Sequence, residues 1–118
     1  RQPHYFTRRD GTPLLLAGLH ETWVDRDDPD APPHHTCTVI TTTPNNDIEG
    51  IHDRMPAIVT THSAATWLDI STPDVVRHQL LAPAPNGTLE HWGVGNAVGN
   101  VRHNGPELIA RNEPTTLF

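Results

Sequence analysis

Proline constrains what this chain can build. It occurs 12 times in 118 residues and is spread along the whole length. Each proline fixes φ and removes a backbone donor, so helix interiors and central strands break where it falls. Short elements joined by many turns are expected, within one domain or part of one. Apolar residues make up 35% of the chain, and the length allows a core.

The segments between the breaks read mostly as strands. Residues 3–7 carry Tyr5 and Phe6 and read as a strand, and Arg8-Arg9-Asp10-Gly11 reads as a hairpin turn. The apolar run Leu14 to Gly18 fits the returning strand, buried on both faces. Leu19 to Trp23 continues it with alternating character. A loop rich in Asp and Pro follows, from Asp25 to His35. The β-branched run Thr36 to Thr43 is a second strand, with Cys37 inside it as an inert core thiol. Pro44-Asn45-Asn46-Asp47 carries helix-start chemistry, predicting a turn or two that holds Ile48 and Ile51 and ends at Gly50. Met55 to Thr60 is the third strand. Thr61 to Leu68 reads as a helix burying Ala64, Trp67 and Leu68. A second helix starts at Ser71-Thr72-Pro73-Asp74, with Ser71 as cap, and Pro83 ends it. Asn86-Gly87 is a turn, and Thr88 to Val94 is a strand. The glycines of Gly93 to Asn100 have the wrong spacing for a dinucleotide fingerprint and read as bends. Asn104-Gly105 turns again, and Glu107-Leu108-Ile109 closes the domain.

Composition narrows the function. No apolar run approaches the roughly 20 residues of a membrane span, and no signal peptide opens the chain. A single cysteine rules out a disulfide framework and fits a reducing, cytoplasmic setting. The net charge of −6, taken alone, argues against nucleic-acid binding. The acid is uneven, however: four carboxylates crowd Asp25 to Asp30, which leaves room for a basic face elsewhere. The chain opens at Arg1 without Met, inside a strand-forming phrase, and reads as a fragment.

Reactive groups are densest at Ile51-His52-Asp53-Arg54-Met55-Pro56. In an extended segment His52 and Arg54 share one face, and Ile51, Asp53 and Met55 take the other. An imidazole that titrates near neutrality and a guanidinium that forks onto oxyanions suit an anionic substrate. The alternative is a solvated His and Arg at a strand end, with Asp53 pairing Arg54. Nine histidines show no metal-ligand spacing, so no metal and no cofactor are expected. Ser63 and Ser71 lie at helix starts without a nucleophile elbow. Cys37 sits in mid-strand, where burial suppresses its thiolate. A candidate acid/base without a nucleophile implies a binding module or an incomplete enzyme.

Five ordered phrases resemble the SOS-response-associated peptidase (SRAP) family. They are Gln2 to Phe6, Ala17-Gly18-Leu19-His20-Glu21-Thr22-Trp23, Cys37 to Thr42, Ile51 to Pro56, and Val98 to Ile109. The resemblance implies an α+β fold, mainly β, with a barrel-like mixed sheet and short peripheral helices. Residues 1–118 would be the C-terminal part of a single SRAP domain. It also implies a protein that binds single-stranded DNA and crosslinks to abasic sites. In the family the nucleophile is a cysteine exposed by self-removal of the initiator Met. Its amine and thiol trap the ring-opened sugar as a thiazolidine. His52 matches the family's catalytic His, Arg54 an Arg facing DNA phosphate, and Thr41 a DNA-binding position near the same pocket. The nucleophilic Cys, an Asn and a Glu would lie upstream of Arg1; neither Cys37 nor Glu21 replaces them. The acidic balance is compatible with DNA binding if the other part carries the basic groove. The implied partner is abasic single-stranded DNA, with no membrane, and the complete protein is expected to be monomeric. The alternatives are a degenerate or truncated homologue with a structural or binding role only, and a thiol peptidase acting on other proteins.

Overall fold

In a computed structural model, residues 1–112 are described. Along the chain come β1 (His4–Arg8), β2 (Leu15–Leu16), β3 (Gly18–Trp23), β4 (His34–Val39), β5 (Thr41–Thr42), β6 (Met55–Pro56) and β7 (Ile58–Val59). Helices α1 (Thr61–Leu68) and α2 (Asp74–Gln79) follow, then β8 (Leu89–Gly93) and two short 3-10 turns, Asn96–Gly99 and Pro106–Ile109. The fold is thus mostly strand with a few short helices, in four two-stranded antiparallel pairings. It divides into two compact units.

Among the described residues, the first unit combines residues 1–13 with residues 87–112. β1 pairs with β8 from His4 opposite Gly93 to Arg8 opposite Leu89. The ladder continues at both ends, where the Arg9 amide donates to Thr88 O and the Val94 amide to Pro3 O, each at 2.9 Å. Leu89 and Val94 are its buried apolar residues. Past β8, Trp92 Nε1 donates to Ile109 O at 2.7 Å and the Arg111 guanidinium lies 4.2 Å over the Trp92 ring, which fastens the last turn to the strand.

The expected Asp-Gly turn is present, with Gly11 in the left-handed region at φ 77. Arg8 forks onto Asp10, and the Thr12 amide and hydroxyl donate to Asp10 Oδ1. These bonds, that from Arg8 first, hold the Asp10 carboxyl well below the usual carboxylate range. The hairpin predicted across this turn does not form: β1 takes β8 as partner, and β2 takes β7. A turn reverses the chain but does not choose the neighbour. Here Tyr5 stacks against Trp92 and Phe6 against His91, cross-strand pairs that reward the distant partner.

The second unit, residues 14–86, is built around a three-way strand junction. Three extended segments each change partner at one central residue. β2 becomes β3 at Ala17, β4 becomes β5 at Ile40, and β6 becomes β7 at Ala57. On either side of these residues β3 pairs with β4, β5 with β6 and β7 with β2. At the centre the hydrogen bonds close a ring. Ala17 N–H donates to Ala57 O at 2.8 Å, Ala57 N–H to Ile40 O at 2.9 Å, and Ile40 N–H to Ala17 O at 3.0 Å. Ala17 and Ala57 are buried at 1% and 0% exposure, with Val59 beside them and Ile40, Ala64, Trp67 and Leu81 packed around. At this ring of backbone bonds Ala17 and Ala57 each bury a methyl with almost no exposed surface. Ala57→Leu is therefore expected to destabilise the fold by about 1–3 kcal/mol through overpacking. The measurement is the urea midpoint with an unchanged slope.

Several sequence expectations need correction in this unit. The Leu14–Gly18 run is not buried on both faces: Leu15 and Leu16 are 37% and 44% exposed. β2 has only two residues and one partner, and no second layer of its unit covers it. It lines an open groove of about 300 Å3 with Val59, Ala64, Trp67 and Leu68. Leu68, expected inside, is exposed for the same reason. Cys37 is an exposed thiol, because the β3–β4 ribbon shows both faces to solvent. Thr36 to Thr43 divides at Ile40, and Met55 to Thr60 divides at Ala57, where the strands switch partners. Ser71 does not cap α2. Its amide and hydroxyl both donate to Asp69 Oδ1, and α2 starts after Pro73 without a side-chain cap. α2 ends at Gln79, ahead of Pro83. Helix α1 spans the predicted residues and is capped by a reciprocal Thr60–Ser63 box.

Candidate functional site

The site begins with the turns that deliver its residues. The predicted helix around Ile48 does not form. Asn45 diverts the local donors: its Oδ1 accepts the Asp47 amide at 3.1 Å, and its own amide points at the Met55 sulfur, 3.2 Å away. Side-chain bonding of this kind competes with helix. What remains is a run of turns in which the Glu49 amide donates to Asn45 O and the His52 amide to Ile48 O. Gly50 takes φ 89, in the left-handed region, where it bends the chain but ends no helix. Asn45 is 6% exposed and its Nδ2 donates to Ala84 O at 3.0 Å, so the loop is pinned from beneath. The Pro-Asn-Asn-Asp phrase, which suggests a helix cap, instead marks Asn45 as the anchor of this loop.

The hexapeptide is not extended until Met55, so strand alternation is not what brings His52 and Arg54 together. They meet through the backbone. The Arg54 amide donates to His52 Nδ1 at 3.0 Å. An amide can only donate, so in the neutral ring Nδ1 is the acceptor and the proton sits on Nε2. In the protonated ring Nδ1–H can reach Arg54 O at 3.1 Å or Asp53 Oδ1 at 3.2 Å. Nδ1 thus has a partner in either state, which leaves Nε2 as the nitrogen available for chemistry. The His52 side chain is 63% exposed, so Nε2 is open to an incoming group. Asp53 pairs with His52, not with Arg54 as the solvated-residue reading supposed.

Among the described residues the Arg54 guanidinium is held by Thr41. Thr41 Oγ1 accepts from Nε at 3.2 Å and from Nη2 at 3.0 Å, and Thr41 O accepts from Nη2 at 2.7 Å. The β5–β6 ladder sets this meeting, with Thr41 opposite Pro56 and Thr42 opposite Met55. Met55, 1% exposed, fixes the strand that follows Arg54. Nη1 has no protein acceptor among the described residues. Among the described residues only two arginines face a carboxylate at ion-pair distance, and Arg54 is not one of them. Arg8 is ion-paired with Asp10, and Arg77 lies beside Asp74. Among the described residues Arg54 has no carboxylate at ion-pair distance, so its charge is not cancelled locally. Thr41, His52 and Arg54 therefore form one exposed cluster with two free edges, Nε2 and Nη1. A proton donor or acceptor beside an uncompensated cation can serve a phosphate-bearing substrate.

Two features bound other chemistry. Among the described residues no three His, Cys, Asp or Glu side chains converge as metal ligands. Among them, too, no helix is long and apolar enough to cross a membrane.

Comparison with known proteins adds a second line. The family model described as SOS response associated peptidase (SRAP) matches residues 1–101. The abasic site processing protein YoqW of Bacillus subtilis is 41% identical over 98 residues, covering 81% of this chain and 42% of that protein. The abasic site processing protein YedK of Escherichia coli is 28% identical over 111 residues, covering 92% of this chain and 48% of that protein. A crystal structure of a protein from Bacteroides thetaiotaomicron superposes with a TM-score of 0.81 at 27% identity, over 95% of this chain and 49% of the other. The chain thus spans less than half the length of each of these relatives.

Proposed function

The chain belongs to the SOS response associated peptidase (SRAP) family, and from that premise we propose that it is the C-terminal part of a protein that crosslinks abasic single-stranded DNA. The observation that supports the reading is the linkage of three exposed residues: the Arg54 amide donates to His52 Nδ1, and the Arg54 guanidinium donates to Thr41, which leaves His52 Nε2 and Arg54 Nη1 without a protein partner among the described residues. An abasic sugar is mostly a closed ring. Opening it to the aldehyde moves a proton to the ring oxygen and another off the anomeric hydroxyl. His52 serves here from its protonated form: Nε2–H goes to the ring oxygen while Nδ1–H is held by Arg54 O or Asp53 Oδ1, and the Nε2 lone pair so exposed takes the hydroxyl proton. Arg54 holds a flanking phosphate through Nη1 while Thr41 holds the rest of its guanidinium.

The trapping group lies in the part of the domain that precedes this chain. A mature N-terminal cysteine, exposed by self-removal of the initiator Met, supplies amine and thiol. The amine adds to the aldehyde and expels one water as the imine forms. The thiolate then closes on the imine carbon, and the nitrogen takes up a proton to give the thiazolidine. Cys37 takes no part: it faces solvent on the β3–β4 ribbon, outside the Thr41–His52–Arg54 cluster. A basic groove in the preceding part offsets the acidic balance of this one. A monomeric, cytoplasmic protein completes the proposal, consistent with a single cysteine here. The test is whether the protein from the complete reading frame attaches covalently to an abasic single-stranded oligonucleotide and not to an intact one. A frame that encodes no Met-Cys start, or a protein that leaves abasic DNA unmodified, supports the degenerate homologue instead.

A further inference from the structure

We infer that Thr41 is a positioning residue for Arg54, with its effect on DNA passing through that guanidinium and not through a contact of its own. This rests on the reading of Arg54 as the phosphate grip. Three hydrogen bonds carry it. Thr41 Oγ1 takes Nε and Nη2 at 3.2 and 3.0 Å, and the Thr41 carbonyl takes Nη2 again at 2.7 Å. A hydroxyl oxygen has two lone pairs, and both are engaged by the same guanidinium. Two of the three guanidinium nitrogens are thereby fixed, and the third, Nη1, is the one presented outward.

The geometry explains why a threonine suits the position. An unpinned exposed arginine samples many rotamers, and binding a phosphate would have to freeze them. A β-branched side chain is stiff at χ1, so its oxygen stays where the ladder puts it. The ladder is itself set by Thr42 opposite Met55, whose side chain is buried. The Arg54 amide is in turn the donor to His52 Nδ1. One strand register therefore places the phosphate grip and the proton-transfer ring relative to each other. Thr41 is the side-chain link between that register and the charge.

The experiment is a double-mutant cycle in the complete protein, read as crosslink formation against concentration of an abasic single-stranded oligonucleotide. Thr41→Val keeps the branched shape and removes Oγ1. It is expected to raise the half-saturating DNA concentration roughly fivefold, the size of one hydrogen bond's net contribution, with the effect confined to sub-saturating DNA. Thr41→Ser restores the acceptor and is expected to return to within about twofold of the unmutated protein. In an Arg54→Gln background Thr41→Val should add nothing, since its partner is gone. A Thr41→Val effect that persists undiminished beside Arg54→Gln would mean that Thr41 meets DNA directly, and overturns the inference. So would a silent Thr41→Val while Arg54→Gln weakens binding. If Arg54→Gln itself leaves DNA binding unchanged, the phosphate-grip reading fails, and this inference goes with it.

Discussion

Replacing His52 with Ala in the complete protein is expected to slow crosslinking to abasic single-stranded DNA by about a hundredfold or more, the range of a positioned acid/base. The ring-opening step needs a group that gives one proton and accepts another, and Nε2 is the free nitrogen of the ring. The alanine change has a side effect, because Nδ1 also accepts the Arg54 amide at 3.0 Å. A second variant separates the two roles. His52→Asn places an amide oxygen near the Nδ1 position and leaves nothing at Nε2. It can hold the Arg54 amide but cannot transfer the proton. The asparagine variant is therefore expected to keep DNA affinity and to lose as much rate as the alanine. Recovery of rate by asparagine would make His52 a loop fastener. Rates of formation and reversal that both stay unchanged in the alanine variant would remove it from the chemistry.

Arg54→Gln is expected to act on binding. The half-saturating DNA concentration should rise roughly tenfold, the scale of one charge-assisted hydrogen bond. The slope of log affinity against log salt should become shallower by about 0.7, the share of one phosphate on a single strand. Arg54→Lys is a stringent control. It retains the charge, but an ammonium cannot fork between Thr41 and a phosphate. It should keep the salt slope and recover only part of the affinity. An unchanged salt slope in the glutamine variant would place the phosphate grip elsewhere.

Some of this site could be read from the chain and some could not, for physical reasons. The strand alternation that would put His52 and Arg54 on one face is absent before Met55; their link is a backbone amide donating to an imidazole, which no side-chain pattern announces. The Thr41 contact is non-local, spanning thirteen residues, and depends on a register that no local pattern fixes. Helix α1 was legible because its cap, periodicity and length all lie within one short window. Strand partners were not. The Asp10-Gly11 turn announced a reversal, and aromatic pairing with a strand some eighty residues away decided the neighbour. The junction of Ala17, Ile40 and Ala57 left the weakest trace. Two alanines in apolar runs look like ordinary small residues until three backbones are found to meet on them. Burial failed in the other direction for Leu15, Leu16 and Cys37. Their sequence context is that of an interior, yet their unit supplies no layer to cover them.

On the proposed function, this chain provides the acid/base and the phosphate grip of a DNA-crosslinking domain whose nucleophile lies outside it. The most direct measurement is intact mass of the complete protein after incubation with an abasic single-stranded oligonucleotide. The expected species is protein plus DNA less one water, with the attachment mapped to the mature N-terminal residue. It should be absent with undamaged DNA and absent when the aldehyde has first been reduced to the alcohol. Free protein and free DNA alone, or an attachment mapped to Cys37, would contradict it.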